Sequence, residues 1–470
     1  MSQNQVFKYF EEISKIPRCS FHEEKIAEYL LNFAKEKGYE AIMDDYKNVT
    51  IIKEASKGYE DKPGIILQGH IDMVCEKTKD SNHNFCEDPI ELIYDGNFLR
   101  ANKTTLGADN GIAIAMALSL LSDENLQSPR IEFVATATEE TGLVGASNYQ
   151  TGILKGKYLI NIDSEEEGVL IAGCAGGTDV DLEYDIEREN KDGYVYKLLV
   201  HNLKGGHSGM SIHNPLLNAI KCGGQVLNTI SKDNDINIID IHGGTKHNAI
   251  PREFEVTFLS NNKIDEKIYE TDLEEFKKVE ENIEIDLEEV SNSEEKVFSK
   301  DLTKRLIKAL IELPHGVRSF MSGDYSDIVE SSLNLAIIET KESFVHFKIS
   351  VRSSVESKKD VIIDELKKIV SDTEGKLEKS NGYKAWEFEE NSELRDIAVS
   401  AYKEHCGKEL EVSVIHAGLE CAIFKDKYPQ IDPISIGPNI YKVHTPEEKL
   451  DIESTNRTYE FLEHLIKKLS

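Results

Sequence analysis

Residues 64–74 read GIILQGHIDMV, and the reading of this run decides the fold. Its apolar part is short, continuous and rich in Ile and Leu, and it is bounded by Gly and polar residues, which predicts a buried strand. Two later runs, IEFVATATEE (131–140) and YLINID (158–163), have the same character. Between the first and the second lies NGIAIAMALSLLSD (110–123), whose small and apolar residues suit a helix buried against a sheet. Parallel strands need such a crossover. The N-terminal part therefore predicts an α/β domain with a mixed, largely parallel sheet flanked by helices.

Working outward, residues 5–37 carry helical apolar spacing, broken at Pro17 and ended by Gly38, so two helices open the chain. The middle differs. YKLLVHNLKGGHSG (196–209) reads as a strand running into a Gly-rich turn, followed by a helical stretch over 214–230 and the strand EFEVTFL (253–259). The acidic segment 262–300, with interspersed Lys and apolar residues, reads as a solvated face or excursion. A helix over 302–313 and then LNLAIIETKESFVHFKISVRSS (333–354) repeat the order of helix, strand, turn and strand. That order fits an internal duplication, and equally a chance pattern in an α+β layer. After 390, ELRDIAVSAYKEH and DPISIG return to α/β character. The expected division is an α/β domain in two parts, 1–185 and 391–470, interrupted by an inserted α+β domain over 186–390.

A chain of 470 residues with 39% apolar and 30% charged residues is expected to be globular and to exceed one core. A formal charge of −31 repels phosphate backbones and anionic membrane surfaces, which argues against nucleic-acid and membrane partners. The start, MSQNQVFKYFEEISK, lacks a basic stretch followed by an apolar one, and no run of about 18 apolar residues occurs. Seven cysteines are scattered without C-x-x-C spacing and read as reduced thiols of a cytoplasmic protein.

Five motifs carry chemistry. His70 and Asp72 project from one face near the end of the first strand, where open α/β sheets place their sites. Imidazole suits zinc-like metals, and a nearby carboxylate can orient it; the plain alternative is a hydrogen-bonded pair at a strand end. Asp109, in the Gly-flanked loop TTLGADNGI (104–112), has two oxygens with which to bridge two metals; the plain alternative is that Asp109 or Asn110 caps the following helix. Glu139 and Glu140 end a strand of Val, Ala and Thr; successive side chains diverge, so one can ligate while the other acts as general base. Burying both is costly without a compensating cation, unless the strand simply ends in a polar turn there. Asp163 closes YLINID, and His444 lies in GPNIYKVHTPEE before the final helix.

Together, HxD, GADNG, EE, NIDSEE and a late HTP resemble, over the whole chain, the two-metal exopeptidase family that contains carnosinases and glutamate-releasing carboxypeptidases. Within it, GCAGGTDVDLE (173–183), GGHSGMSIHNP, NAIPRE and HAGLECAIF (416–424) resemble the aminoacyl-histidine dipeptidases. The resemblance implies one metal on His70, Asp109 and Asp163 and a second on Asp109, Glu140 and His444, with Asp72 orienting His70 and Glu139 as base. The two ions are expected to be Zn²⁺, with Mn²⁺ or Co²⁺ as alternatives. Asp at 163, where a carboxypeptidase branch has Glu, implies dipeptidase activity, and the family has a cis peptide after the bridging Asp. The inserted domain would be a lid whose His207 stabilises the oxyanion. Asn248, Arg352, His416 and Gly418 would contact a small peptide substrate, and Glu420 would pair with a cationic or amino group. The implied reaction is hydrolysis of dipeptides, most specifically Xaa-His. The alternatives are a broader di- or tripeptidase, an N-acyl amino acid amidohydrolase, or a non-catalytic metal-binding homologue. The assembly implied is a homodimer, or a monomer with a duplicated lid.

Overall fold

The computed structural model describes residues 2–470, which form two compact units. The first comprises 2–174, 388–414 and 419–470, and the second 175–387 and 415–418.

The first unit is built on an eight-stranded mixed sheet, and the expected buried strands lie at its centre. Ile65–His70 runs parallel to Ile131–Thr136 on one side and to Tyr158–Asn161 on the other. Asp432–Ser435 continues the parallel set, while Glu40–Met43 and Val49–Lys53 close one edge antiparallel. Every residue of Ile65–His70 and Ile131–Thr136 is buried, which is why neither shows alternation. The crossover between them is the helix Ala108–Ser122, which packs against Ile65–His70 and the opening helix Ser2–Ile13. Buried between sheet and helix, it has no polar face to show. The second opening helix, Glu24–Lys37, ends at Gly38 in the left-handed conformation that terminates helices.

The second unit carries a nine-stranded antiparallel sheet with the helices Ala219–Asp233, Lys300–Glu312 and Glu356–Asp372 sharing its apolar core. Gly176–Asp185, which the sequence reading placed in the first segment, pairs with Phe344–Ser353 and Lys376–Tyr383 and so belongs to this unit. Within the acidic segment, Glu284–Phe298 is an edge strand that pairs with Arg188–His201 across a bulge; most of it is exposed, so the solvated face holds and the excursion does not.

Two of the seven cysteines depart from the expected reduced state. Cys19 and Cys75 form a disulfide, with Cα atoms 5.8 Å apart. The backbone brings them together because Cys19 bridges to Met73, just beyond the first strand.

A candidate metal centre

Three neighbouring parallel strands of the first unit, Ile65–His70, Ile131–Thr136 and Tyr158–Asn161, lead at one end of the sheet into His70, Glu139 and Glu140, and Asp163. His70 closes its strand, buried, with Nε2 3.1 Å from Asp109 Oδ1 and 3.5 Å from Asp163 Oδ1. His444 arrives from a loop far along the chain, its Nε2 3.1 Å from Asp109 Oδ2 and 3.0 Å from Glu140 Oε2. Asp109 thus turns one oxygen to each of two clusters. Glu139 belongs to neither: its nearer oxygen stands 4.0 Å from His70 Nε2.

Asp109 does not cap the helix that follows it. Both of its side-chain oxygens face histidines instead, and Asp109 (φ −78, ψ 107) and Asn110 (φ −115, ψ 27) break the helical backbone at its start. The Asp109–Asn110 peptide is cis. Asn110 ties two strand ends together. Its side-chain oxygen accepts from the His70 N–H at 3.1 Å, and its amide donates to the Ile162 carbonyl at 2.7 Å.

Asp72 has two tasks. Its Oδ1 lies 3.3 Å from His70 Nδ1. Its two oxygens also accept the backbone N–H of Glu139 at 3.0 Å and of Glu140 at 3.2 Å, and Ser20 donates to it at 2.7 Å. Buried Glu23 supports the same turn from below, accepting from both the N–H and the hydroxyl of Thr138, whose φ of 53 lies in the left-handed region. Sequence reasoning missed Ser20 and Glu23, because their partners are backbone groups and remote side chains.

The charges do not balance by themselves. Five carboxylates, Asp72, Asp109, Glu139, Glu140 and Asp163, face two imidazoles. Burial alone would depress His70, yet Asp163, Asp109 and Asp72 outweigh it and hold the ring well above its ordinary value. Burial likewise opposes His444, which Asp109 and Glu140 raise to about 11. Burial, together with neighbouring carboxylates, pushes Glu139, Glu140 and Asp163 upward. Glu140 Oε1 is buried without a hydrogen-bond partner among the described residues. Donor atoms of His70, Asp109 and Glu140 lie within 4.8 Å of one another. A mixed His and carboxylate set with surplus negative charge and an orphaned oxygen fits divalent cations.

Glu420 is fully buried in the first unit: its Oε2 accepts from Gln68 at 2.5 Å and Thr136 at 2.6 Å, its Oε1 has no partner among the described residues, and burial raises its carboxyl to about 7.

In the second unit, the remaining predicted residues fall into a polar cluster. His207 pairs with Ala249 in a two-stranded turn, and its Nδ1 accepts from the N–H of Gly209 at 3.2 Å and of Met210 at 3.1 Å. That leaves the proton on Nε2. The Asn248 carbonyl accepts from Ser208 at 2.8 Å. Arg352, 9% exposed, donates to the Tyr383 hydroxyl at 3.2 Å, and its Nε has no partner among the described residues. Ser332, opposite Arg352 in the sheet register, lies 2.7 Å from His416 Nε2. Gly418 lies flat on Tyr383: a Cβ there would approach the ring's Cζ to 2.6 Å.

A His and carboxylate centre at the ends of parallel strands, with an unligated acid beside it, defines a metal-dependent hydrolase. The sequence pattern described as peptidase family M20/M25/M40 matches residues 66–468. The cytosol non-specific dipeptidase of Escherichia coli (strain K12) is 37% identical, over 100% of this chain and 98% of that protein. The solved structure of aminoacylhistidine dipeptidase from Vibrio alginolyticus superposes with a TM-score of 0.85 at 36% identity, covering 98% of this chain and 96% of the other. Human carnosine dipeptidase 1 shares the fold, with a TM-score of 0.52 at 13% identity, 99% of this chain and 96% of the other being covered. The chain belongs to peptidase family M20/M25/M40.

Proposed function

We propose that the protein hydrolyses the peptide bond of dipeptides, Xaa-His dipeptides among them, using two divalent cations, Zn²⁺ in the first instance. The observation that carries this reading is Asp109, whose two oxygens face His70 and His444 respectively, with Glu139 alongside and outside both donor sets. The names of the Escherichia coli and Vibrio alginolyticus relatives support the dipeptide as substrate.

His70, Asp109 and Asp163 would hold one ion, and Asp109, Glu140 and His444 the other. Bound there, such ions supply Lewis acidity, which acidifies water and polarises a carbonyl. Asp72 keeps the His70 ring oriented and, through its two backbone hydrogen bonds, fixes the divergent directions of Glu139 and Glu140. Glu139 accepts a proton from the attacking water and returns it to the leaving nitrogen, as general base and then acid. His207, with its proton on Nε2, serves as donor to the developing oxyanion. Arg352, partly desolvated and steadied by Tyr383, takes the substrate carboxylate, and Asn248, His416 and Gly418 complete the substrate contacts.

The test is to strip the protein with chelator and assay carnosine, other Xaa-His dipeptides, a dipeptide without His and an N-acyl amino acid, restoring each metal in turn. Hydrolysis of dipeptides that returns with metal is the expected result. Activity that persists after rigorous metal removal rejects the mechanism, and preference for the N-acyl amino acid rejects the substrate class.

A further inference from the structure

Asp109 can offer an oxygen to each cluster only if its backbone is held, and the structure shows what holds it. The N–H groups at the start of a helix lack intrahelical acceptors, and a side chain at the cap position ordinarily satisfies them. Here the turn that leads into the helix has Gly107 at its start, with no side chain to offer, and its backbone leaves the helical region again at Asp109 and Asn110. One buried carboxylate does the work from far along the chain. Glu448, 2% exposed, accepts from Leu106 at 2.8 Å and Gly107 at 3.0 Å with Oε2, and from Ala108 at 2.8 Å and Asp109 at 3.3 Å with Oε1. From the opposite side, buried Arg18 donates to the Gly107 carbonyl at 2.5 Å and to the carbonyls of Ile71 and Asp72 at 3.1 and 3.0 Å.

Glu448 also stands four residues after His444. The same loop therefore meets Asp109 twice, at its side chain through His444 and at its backbone through Glu448. We propose that Glu448 is a positioning residue that fixes the Leu106–Asp109 backbone so that Asp109 serves both clusters at once, and that locks this loop in register with His444. The inference rests on the reading of Asp109 as the shared metal ligand.

The test uses the full-length, metal-loaded protein carrying E448Q, with E448D as the conservative variant. Gln turns one of the two acceptor atoms into a donor, so two of the four N–H groups lose their partner. Supporting groups around metal ligands are worth about 10–100-fold. The expected result is a fall of about that size in kcat for a dipeptide, KM within about three-fold of the original, and altered visible bands in the Co²⁺-loaded protein, with part of each recovered in E448D. A purely structural Glu448 would instead lower the urea midpoint while leaving kcat and the Co²⁺ spectrum as they were. That outcome overturns the proposal. Should both variants fail to fold, hydrogen exchange on the unaltered metal-loaded protein decides: slow exchange of the Leu106–Asp109 amides supports it, and exchange at the rate of an open loop overturns it. If the unaltered protein binds no metal and cleaves no dipeptide, both readings fall. If it does both and E448Q matches it, this inference alone falls.

Discussion

Glu139 and Glu140 are neighbours in sequence whose backbone N–H groups are held by one residue, Asp72, and on the proposed reading they have different tasks. Exchanging Glu139 for Gln is expected to reduce kcat by about 10²–10⁴-fold while the metal content, measured by mass spectrometry, stays at two per chain. Glu140→Gln is expected to lower metal content as well, since Glu140 is paired with His444. If Glu139→Gln loses a metal and Glu140→Gln does not, the assignment of the pair is reversed. His70, Asp109, Glu140 and Asp163 stood out in the sequence because each lies in a short motif at the end of a strand or between glycines, whereas His444, in a loop before the final helix, stood out only in company with them. Their supports were not. Arg18, Ser20, Glu23 and Glu448 act on backbone groups or on side chains remote in sequence, and a hydrogen bond to a peptide group requires no matching residue type. The Cys19–Cys75 pair was hidden for a similar reason, since a separation of 56 residues carries no spacing rule.

At the scale of elements, the helix Ala108–Ser122 and the strands around it read correctly because they are buried all round, so composition alone marks them. Their entry points are more exacting. Gly107 has φ 70, and a Cβ there would fall 2.5 Å from Arg18 Nη2 and 2.8 Å from Met73 Sδ. Gly107→Ala is therefore expected to cost about 1–3 kcal/mol in urea unfolding. The helix Ala219–Asp233 begins differently: Asn218 accepts from Ile220 and Lys221 at 2.9 and 3.2 Å and donates to the Leu335 carbonyl at 2.8 Å. Asn218→Ala should cost about 1–2 kcal/mol, measured the same way, and Asn218→Asp at least as much, because a buried carboxylate would face the Leu335 carbonyl. The edge strand Glu284–Phe298 resisted reading because an edge has one neighbour and much solvent. Only a few of its residues are buried, and its many acidic side chains mask the alternation.

For the whole molecule, strand order was the least legible feature. Ile65–His70 lies between Ile131–Thr136 and Tyr158–Asn161, and Asp432–Ser435 comes next from the far end of the chain, a non-local order that no local pattern encodes. The formal charge of −31 has a measurable consequence. Self-repulsion is screened by salt, so raising NaCl from about 20 to about 200 mM should raise the thermal midpoint. No change would mean that the acidic charges are already locally neutralised. Acid acts through particular groups. Burial, and then the positive charge of Arg352, pushes His416 down to about 3 from the ordinary 6.5. The unfolded chain therefore takes up a proton first as pH falls. The stability due to a neutral His416 is complete above about pH 6.5 and is lost as pH falls toward 3. At pH 5 the loss amounts to about 2 kcal/mol, so H416N should show a smaller drop in urea midpoint between pH 7 and pH 5.

A single carboxylate facing both clusters also has a thermodynamic meaning. Because Asp109 Oδ1 is turned to His70 and Oδ2 to His444, neither cluster can be loaded without altering the charge and orientation available to the other. Linkage makes that influence reciprocal: whatever factor the first cation imposes on the affinity for the second, the second imposes on the first. On the proposed reading, titration with metal should not follow two independent isotherms, and the sign of the departure reports whether Asp109 is better described as pre-oriented by the first cation or as partly neutralised by it.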